Sequence, residues 1–265
     1  MTQEAQKLSL LKKTLTSIAR NGIIATFFKI LRYPALAFNR AKLSYLIKRG
    51  NAEAIFTEIF TRNHWSNDES VSGDGSTLAY TENIRTELPI LLGKLSVKKI
   101  FDAPCGDFRW MRCVLDNCKG ISYIGGDIVK PLIEGHNSKF RNISTEFIHI
   151  DLINGRFPPA DLMICRDCLF HFSFRDTRSV LQNFLESEIP FLLTTTHLKN
   201  GAMVRNHDIK TGEFRRIDLF AEPYFFPENT VCRINDGRGP DYERAMCLWT
   251  REQIATVLDN LKKFC

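Results

Sequence analysis

What this chain lacks narrows its function first. No apolar run in its 265 residues approaches the ~20 residues that a transmembrane helix needs. Its N-terminus has neither a clean apolar core nor a small-residue cleavage site, so no secretory signal peptide is expected. The eight cysteines are scattered, and Cys105, Cys165, Cys168 and Cys247 fall inside apolar runs. A small secreted domain framed by disulfides looks different, and the expectation is a reducing cytoplasm. Cys165 and Cys168 have metal-like spacing. No second ligand pair lies nearby, however, and strand residues three apart point to opposite faces, so no metal site is expected. No Gly-x-Gly-x-x-Gly occurs, which disfavours a pyrophosphate cradle and with it a nicotinamide dehydrogenase. There is no internal repeat and no low-complexity segment.

The composition that is present is ordinary for a globular protein, 44% hydrophobic and 25% charged, with length for one domain and an extension. The distribution of charge is not ordinary. Residues 1–50 carry ten Lys or Arg against Glu4 alone, which is +9 of a net +6 and leaves −3 for residues 51–265. Leu8, Leu10, Leu11, Leu15 and Ile18 form one apolar stripe. Ile23 to Leu31 is more apolar still, Pro34 ends or kinks it, and Ala35 to Lys48 makes a third segment. Residues 1–50 read as a basic amphipathic helical extension. Such a segment suits contact with an anionic membrane surface, at ~1 kcal/mol per basic residue, which places the protein in the cytoplasm and at the inner membrane surface. The competing readings are a helical appendage on the core or a dimer contact, and the oligomeric state is not legible. No nucleic-acid partner is expected, because no recognition motif accompanies the charge.

Residues 51–265 alternate strands with helices. Ile100 and Phe101 enter a short buried strand that ends at Asp102, Pro104 and Gly106 force a turn, and Phe108, Met111, Arg112 and Leu115 follow at helical spacing. Ser122 to Gly126 is a second strand with Asp127 at its tip. Pro131 to Arg141 reads as a helix, Phe147 to Ile150 as a third strand, Leu162 to Cys165 as a fourth, Ser173 to Ser187 as a helix and Phe191 to Thr196 as a fifth strand. Val231–Ile234 and Ala245–Trp249 make a final antiparallel pair before a terminal helix, Arg251 to Lys263. Upstream, Ala52 to Thr61 and Thr81 to Leu95 are helices. The fold class expected is α/β, a doubly wound, mainly parallel Rossmann-like sheet. Residues 198–229 are polar and aromatic without a period and read as a substrate lid carrying Arg215, Arg216, Tyr224, Phe225 and Phe226.

In such a sheet ligands sit outside the carboxyl ends of the strands. Asp127, about 20 residues beyond the glycine turn, is placed to accept from both hydroxyls of a ribose. The single glycine of Asp102-Ala-Pro-Cys-Gly106 makes a poor phosphate cradle, and the acid before it repels phosphate and attracts a cation. The ligand described is a nucleoside with a positive charge and no phosphate, which S-adenosyl-L-methionine satisfies. Gly73 and Gly75, among Ser and Asp, offer backbone N–H groups and with Ser76 form a loop suited to close over a cofactor carboxylate or a polar substrate. Trp65 is placed to stack on an adenine or a sugar. Arg85 is either a partner for the cofactor carboxylate or an ordinary surface residue.

Asp102-Ala-Pro-Cys-Gly106 resembles the first motif of class I S-adenosylmethionine-dependent methyltransferases, and Asp127 resembles their ribose-binding acid. Trp65 with Ser72-Gly-Asp-Gly-Ser76, Thr81 and Arg85, Asp102 to Phe108, Tyr123-Ile-Gly-Gly-Asp127, Cys165-Arg-Asp-Cys-Leu-Phe-His171 and Leu193-Thr-Thr-Thr196 together resemble one family of bacterial class I methyltransferase-domain proteins, from Ala54 to Trp249. Its members are mostly of unassigned substrate and are associated with surface-polysaccharide and glycan modification. The resemblance implies the fold and the cofactor, and residues 1–50 fall outside it. It implies that Asp151 accepts from the adenine amino group and that Leu152 packs on the ring. Ala103, Pro104, Cys105, Asp107, Trp110, Ile128 and Arg166 complete the expected cofactor-binding set.

Methyl transfer is an in-line displacement at a sulfonium, and a hydroxyl acceptor needs a general base. The candidates are Asp167 and His171 after the fourth strand, His197 after the fifth, and His207 and Asp208 in the lid. Asp167 and His171, four residues apart, would meet on a helical turn as a carboxylate-oriented base. A packing role is the alternative for His171 and for His197. Asn or Asp followed by Pro-Pro and an aromatic, the run that serves amino-methylation of nucleic-acid bases, is absent after the fourth strand. The expected function is O-methylation of a small molecule or a glycan hydroxyl. The rivals are a noncatalytic nucleoside-binding protein and a membrane-associated adaptor on the same fold.

Overall fold

A computed structural model of the chain describes residues 39–198, 205–237 and 243–264. The helices expected in residues 1–38 and part of the expected lid lie outside them. The chain divides into two units, Met1–Leu46 and Ile47–Cys265. In the first, residues 39–46 are helical, with Arg40, Lys42 and Tyr45 exposed.

The second unit is organised by a seven-stranded sheet in the order β3-β2-β1-β4-β5-β7-β6. The strands are β1 (Lys99–Asp102), β2 (Ser122–Asp127), β3 (Thr145–His149), β4 (Leu162–Cys165), β5 (Phe191–His197), β6 (Cys232–Asn235) and β7 (Arg244–Thr250). The first five are mutually parallel, and β7 runs antiparallel between β5 and β6. The helices are α1 (Ala52–Thr61), α2 (Glu82–Lys94), α3 (Arg109–Asp116), α4 (Lys130–Phe140), α5 (Phe174–Glu186) and α6 (Arg251–Leu261). This is the doubly wound sheet expected. The third strand begins two residues earlier than its apolar run, because Thr145 already pairs with Tyr123.

Strand pleating sorts the core into two layers. Ile100, Tyr123, Leu162, Ile164, Leu193 and Leu248 face one layer with α2, α3 and α4. Their neighbours Phe101, Ile124, Met163, Cys165, Leu192 and Trp249 face the other with α5 and α6. Both faces are covered, so the strands are near-continuous apolar runs, as parallel sheets require. The helix starts are capped locally. Ser173 Oγ accepts from Asp176 N at 3.1 Å, and Thr250 and Gln253 form a reciprocal capping box.

The stretch read as a lid is a correction. Its described part, residues 198 and 205–229, has no regular structure, yet Arg215, Ile217, Leu219, Tyr224 and Phe226 are buried. Ile217, Leu219, Tyr224 and Phe226 join the α5–α6 layer. Arg215 N donates to Phe170 O at 3.1 Å, and His197 N to Ile217 O at 2.7 Å, so the segment is tied along β5 and the turn after β4. Arg216 and Phe225 remain exposed. Among the described residues no helix is long and apolar enough to cross a membrane.

Candidate active site

The carboxyl ends of β1, β2 and β4 open into one cavity of about 1010 Å³, counted to its open mouth. Asp102, Pro104, Cys105, Gly106, Trp110, Asp127, Ile128, Asp151, Leu152, Arg166, Asp167 and His171 all line it, together with Trp65 and Ser76. Residues spread over more than a hundred positions therefore converge.

The turn after β1 is built on Gly106. Its φ is +52°, and a Cβ there would lie 2.5 Å from Ser72 Oγ. Only glycine meets both conditions. Gly106 N donates to Asp127 Oδ2 at 3.2 Å, Val129 N donates to Asp127 Oδ1 at 3.0 Å, and His136 Nε2 donates to Gly106 O at 2.8 Å. Asp102 is held differently, by the Tyr123 hydroxyl at 2.7 Å. Burial pushes the Asp102 carboxyl up to about 7 and Asp127 up to about 6. Among the described residues neither carboxylate hydrogen-bonds a basic side chain, so this wall suits a cationic ligand that brings hydroxyl donors. Burial also raises the Cys105 thiol, which stays protonated and apolar. Asp151 closes an Asx turn on Ile153 N at 2.8 Å and receives Asn154 Nδ2 at 2.7 Å, with its side chain still on the cavity.

Arg166 and Asp167 of the lining join Asp236 and Arg244, which lie off it, in a quartet of two arginines and two aspartates. Arg166 donates from Nε and Nη2 to Asp236 at 3.0 Å each, donates to Gly75 O at 2.8 Å, and lies 3.2 Å from Asp167 Oδ2. Arg244 donates to Asp167 Oδ1 at 2.9 Å and pairs with Asp236 Oδ2 at 3.0 Å. The two guanidinium groups also stack, Arg166 on Trp110 at 5.4 Å and Arg244 on Tyr80 at 4.7 Å. Burial pushes the Asp167 carboxyl up, but Arg166 and Arg244 outweigh it and hold the group below its ordinary value. Asp236 and Arg244, 70 and 78 positions beyond Arg166, carry no local signal of this role. Phe56 and Phe60 also line the cavity, and their i, i+4 spacing on the first helix was the one clue available.

The expected Asp167–His171 dyad does not form. Asp167 sits at φ +54°, so the chain turns before His171, and its carboxylate is taken by Arg166, Arg244 and Thr195. His171 Nδ1 donates instead to Glu213 O at 2.8 Å. That bond fixes the tautomer and leaves Nε2 with its lone pair. Burial lowers the His171 pKa, so the ring is neutral near pH 7. The same turn corrects the reading of Cys165 and Cys168 as opposed. Both thiols belong to one core layer. Among the described residues no group of three or more metal-ligating side chains is assembled.

Seven expected site residues do not line the cavity, among them the lid candidates His207 and Asp208, and Asp208 Oδ1 accepts from Phe174 N at 2.7 Å. Gly73 has φ +89° and packs under Trp65, and its N–H is used by Ser70 O at 3.0 Å, so the loop offers no carboxylate cradle there. Arg85 donates to Thr81 Oγ1 and to Leu78 O at 3.3 and 2.9 Å, which spends it on its own loop. Ala103 is fully buried behind the turn. Asp107 accepts from Ser70 Oγ at 2.7 Å and from Arg109 N at 3.2 Å, bracing the start of α3. His197 is the packing histidine of the two alternatives: its Nδ1 accepts from Ile217 N at 3.1 Å, and burial, then Arg244, lowers it to about 4.

No protein-family model matches this sequence. No curated protein matches it. Among solved structures it is similar to the magnesium protoporphyrin IX methyltransferase of Synechocystis PCC 6803 with bound SAM, at 13% identity and TM-score 0.51, over 76% of this chain and 97% of that one. It is similar to the methyltransferase domain of bacterial CtHen1, at 14% identity and TM-score 0.50, over 64% of this chain and 98% of that one. It is also similar to the S-adenosylmethionine-dependent methyltransferase SibL in its apo form, at 9% identity and TM-score 0.50, over 65% and 56%. The shared feature at these identities is the fold, and this chain has the class I methyltransferase fold.

Proposed function

We propose that the chain is an S-adenosylmethionine-dependent methyltransferase acting on a hydroxyl of a small molecule or a glycan. The observation that carries the reading is the pair of buried carboxylates, Asp102 and Asp127, that among the described residues hydrogen-bond no basic side chain, on the same cavity as the neutral imidazole of His171. Asp127 takes the ribose hydroxyls and Asp102 faces the cationic end. Asp151 and Leu152 receive the base, and the close packing at Gly106 keeps the turn against the ligand. When bound, the cofactor supplies an electrophilic methyl group on a sulfonium. The chain's own work is to position the acceptor and remove its proton. His171 suits the second task, since Glu213 O holds Nδ1–H and leaves Nε2 to accept. The SAM bound in the Synechocystis structure of like fold supports the same cofactor here.

Calorimetric titration with S-adenosylhomocysteine tests the reading. Micromolar binding is expected, weakened about tenfold or more in Asp127→Asn and retained in His171→Gln. A folded protein that ignores S-adenosylhomocysteine at millimolar concentration overturns it. The basic extension, residues 1–50, belongs to the same proposal as a contact with anionic membrane on the cytoplasmic side. Sedimentation with phosphatidylserine vesicles, for the full chain and for Lys7→Glu/Lys12→Glu/Lys13→Glu, tests that part. Equal binding of the two removes it.

A further inference from the structure

The cavity has two kinds of wall. The strand ends present carboxylates, and the remainder is aromatic. Phe56 and Phe60 project from one face of α1, Trp65 comes from the loop after it, and His171 from the turn after β4. Phe56, Trp65 and His171 form one patch, with ring centroids 6.4 Å apart for Phe56–His171 and 6.0 Å for Trp65–His171. Phe214 stands 5.9 Å from His171 on its other flank. Of the rings beside His171, Phe170 is buried, while Trp65 on the lining is 39% exposed and Phe214 outside it 55% exposed. Exposed aromatic surface at a cavity rim marks a place that a ligand covers.

Charge narrows that ligand. The lining holds Asp102, Asp127, Asp151 and Asp167 against Arg166, a nominal −3 with His171 neutral. Arg166 is spent on Asp236, Asp167 and Gly75 O. Among the described residues, no other Lys or Arg on the lining remains to pair with a phosphate, sulfate or carboxylate. Hydrogen bonding narrows it again. His171 Nε2 is the one side-chain acceptor of the aromatic patch, beside the Trp65 Nε1–H donor and a His171 Nδ1 spent on Glu213 O, while Asp167 is taken by two arginines and Thr195. A saccharide would bring several hydroxyls and leave most of them without partners, which is costly when they are desolvated. A phenol brings one. Acid strength agrees. A phenolic hydroxyl, with a pKa of about 10, is within reach of a neutral histidine base, and an aliphatic alcohol is far weaker.

We infer that this subsite takes an uncharged phenol, its ring laid on Trp65 and its single hydroxyl directed at His171 Nε2. The inference rests on the methyltransferase reading and narrows its acceptor from small molecule or glycan to aromatic alcohol. In the transfer, the phenolic O–H bond breaks and its proton goes to His171 Nε2. The electron pair on oxygen forms the new O–CH3 bond, and the methyl–sulfur bond breaks with its pair left on sulfur. The sulfonium charge is thereby replaced by an imidazolium charge.

The test is calorimetric titration of the full chain with 2-naphthol, methyl β-glucoside and phenyl phosphate, each with and without saturating S-adenosylhomocysteine. 2-Naphthol is expected to bind, and the other two are not. Trp65→Ala and Phe60→Leu are expected to weaken 2-naphthol by about tenfold and to leave S-adenosylhomocysteine within about threefold. His171→Gln is expected to keep 2-naphthol binding and to lose the methyl ether that mass spectrometry detects when S-adenosylmethionine is supplied. Preference for the glucoside or the phosphate, with S-adenosylhomocysteine still bound, overturns the phenol and leaves the methyltransferase standing. Binding of 2-naphthol that depends on Trp65, without binding of S-adenosylhomocysteine, keeps the subsite and overturns the methyltransferase. Binding of neither overturns both.

Discussion

Asp236→Asn removes one unit of charge from the buried quartet while nearly preserving its shape. The Asp236 side chain is 1% exposed, and Arg166 and Arg244 side chains are 3% and 4% exposed. The quartet is neutral as it stands. After the substitution two guanidinium groups share one carboxylate, that of Asp167, and one positive charge is left buried without compensation. Breaking a buried pair on one side costs about 3–5 kcal/mol. The amide can accept from only one of the two Arg166 N–H groups that now reach Asp236 at 3.0 Å, and its NH2 faces donors, which favours the upper end. For a chain of this size ~1 kcal/mol moves Tm by roughly 2–4 °C, so a fall of about 6–20 °C is expected. Urea unfolding and scanning calorimetry measure it. Adding Arg244→Gln restores neutrality, so the double variant should lose less than the two single losses combined, with a coupling of about 0.5–3 kcal/mol. Asp236→Asn that costs under about 1 kcal/mol would behave like a solvent-screened surface pair and refute the buried quartet.

Three further outcomes follow from the geometry. Gly106→Ala should cost more than about 2 kcal/mol in urea, since the left-handed φ alone costs about 1–2 kcal/mol and the new Cβ meets Ser72 Oγ. Adding Ser72→Ala should recover the steric part only, and an isostable Gly106→Ala would contradict the turn geometry. Asp102 and Asp127 hold protons more tightly in the native state, at about 7 and about 6 against ~3.9 unfolded, so their contribution is present at low pH and is lost as pH rises from about 4 through 7. A bound cation favours both ionised forms, so S-adenosylmethionine at pH 6.5 should release up to about one proton, read by calorimetry in buffers of different ionisation enthalpy. An unchanged heat across buffers would place the cation elsewhere. His197→Leu should leave S-adenosylhomocysteine affinity within about threefold, because His197 lies off the cavity, while costing about 1–3 kcal/mol for the Ile217 N–H it deprives of an acceptor.

The strands, their order along the chain and the glycine turn are legible in the sequence, because each depends on residues a few positions apart. Ile100 and Phe101 alternate between faces, Gly106 alone tolerates its turn, and Asp127 stands at the end of an apolar strand. Period and turn chemistry are local properties, and they locate the strand ends where Asp102, Asp127, Asp151 and Asp167 meet. Tertiary structure decided which of these carboxylates are free to meet a ligand. Asp167 is consumed by arginines that lie one and 77 positions away, and His171 is oriented by a carbonyl 42 positions downstream. Arg85 and His197 could not be told from site residues by type, since only their partners at Leu78 and Ile217 separate the roles. The segment taken for a lid has buried positions at Arg215, Ile217, Asp218 and Leu219, a run too short to be distinguished from an open loop until β5 supplies its neighbour. A side chain's chemistry belongs to its sequence, but its charge state and its freedom to react are set by whatever the fold brings against it.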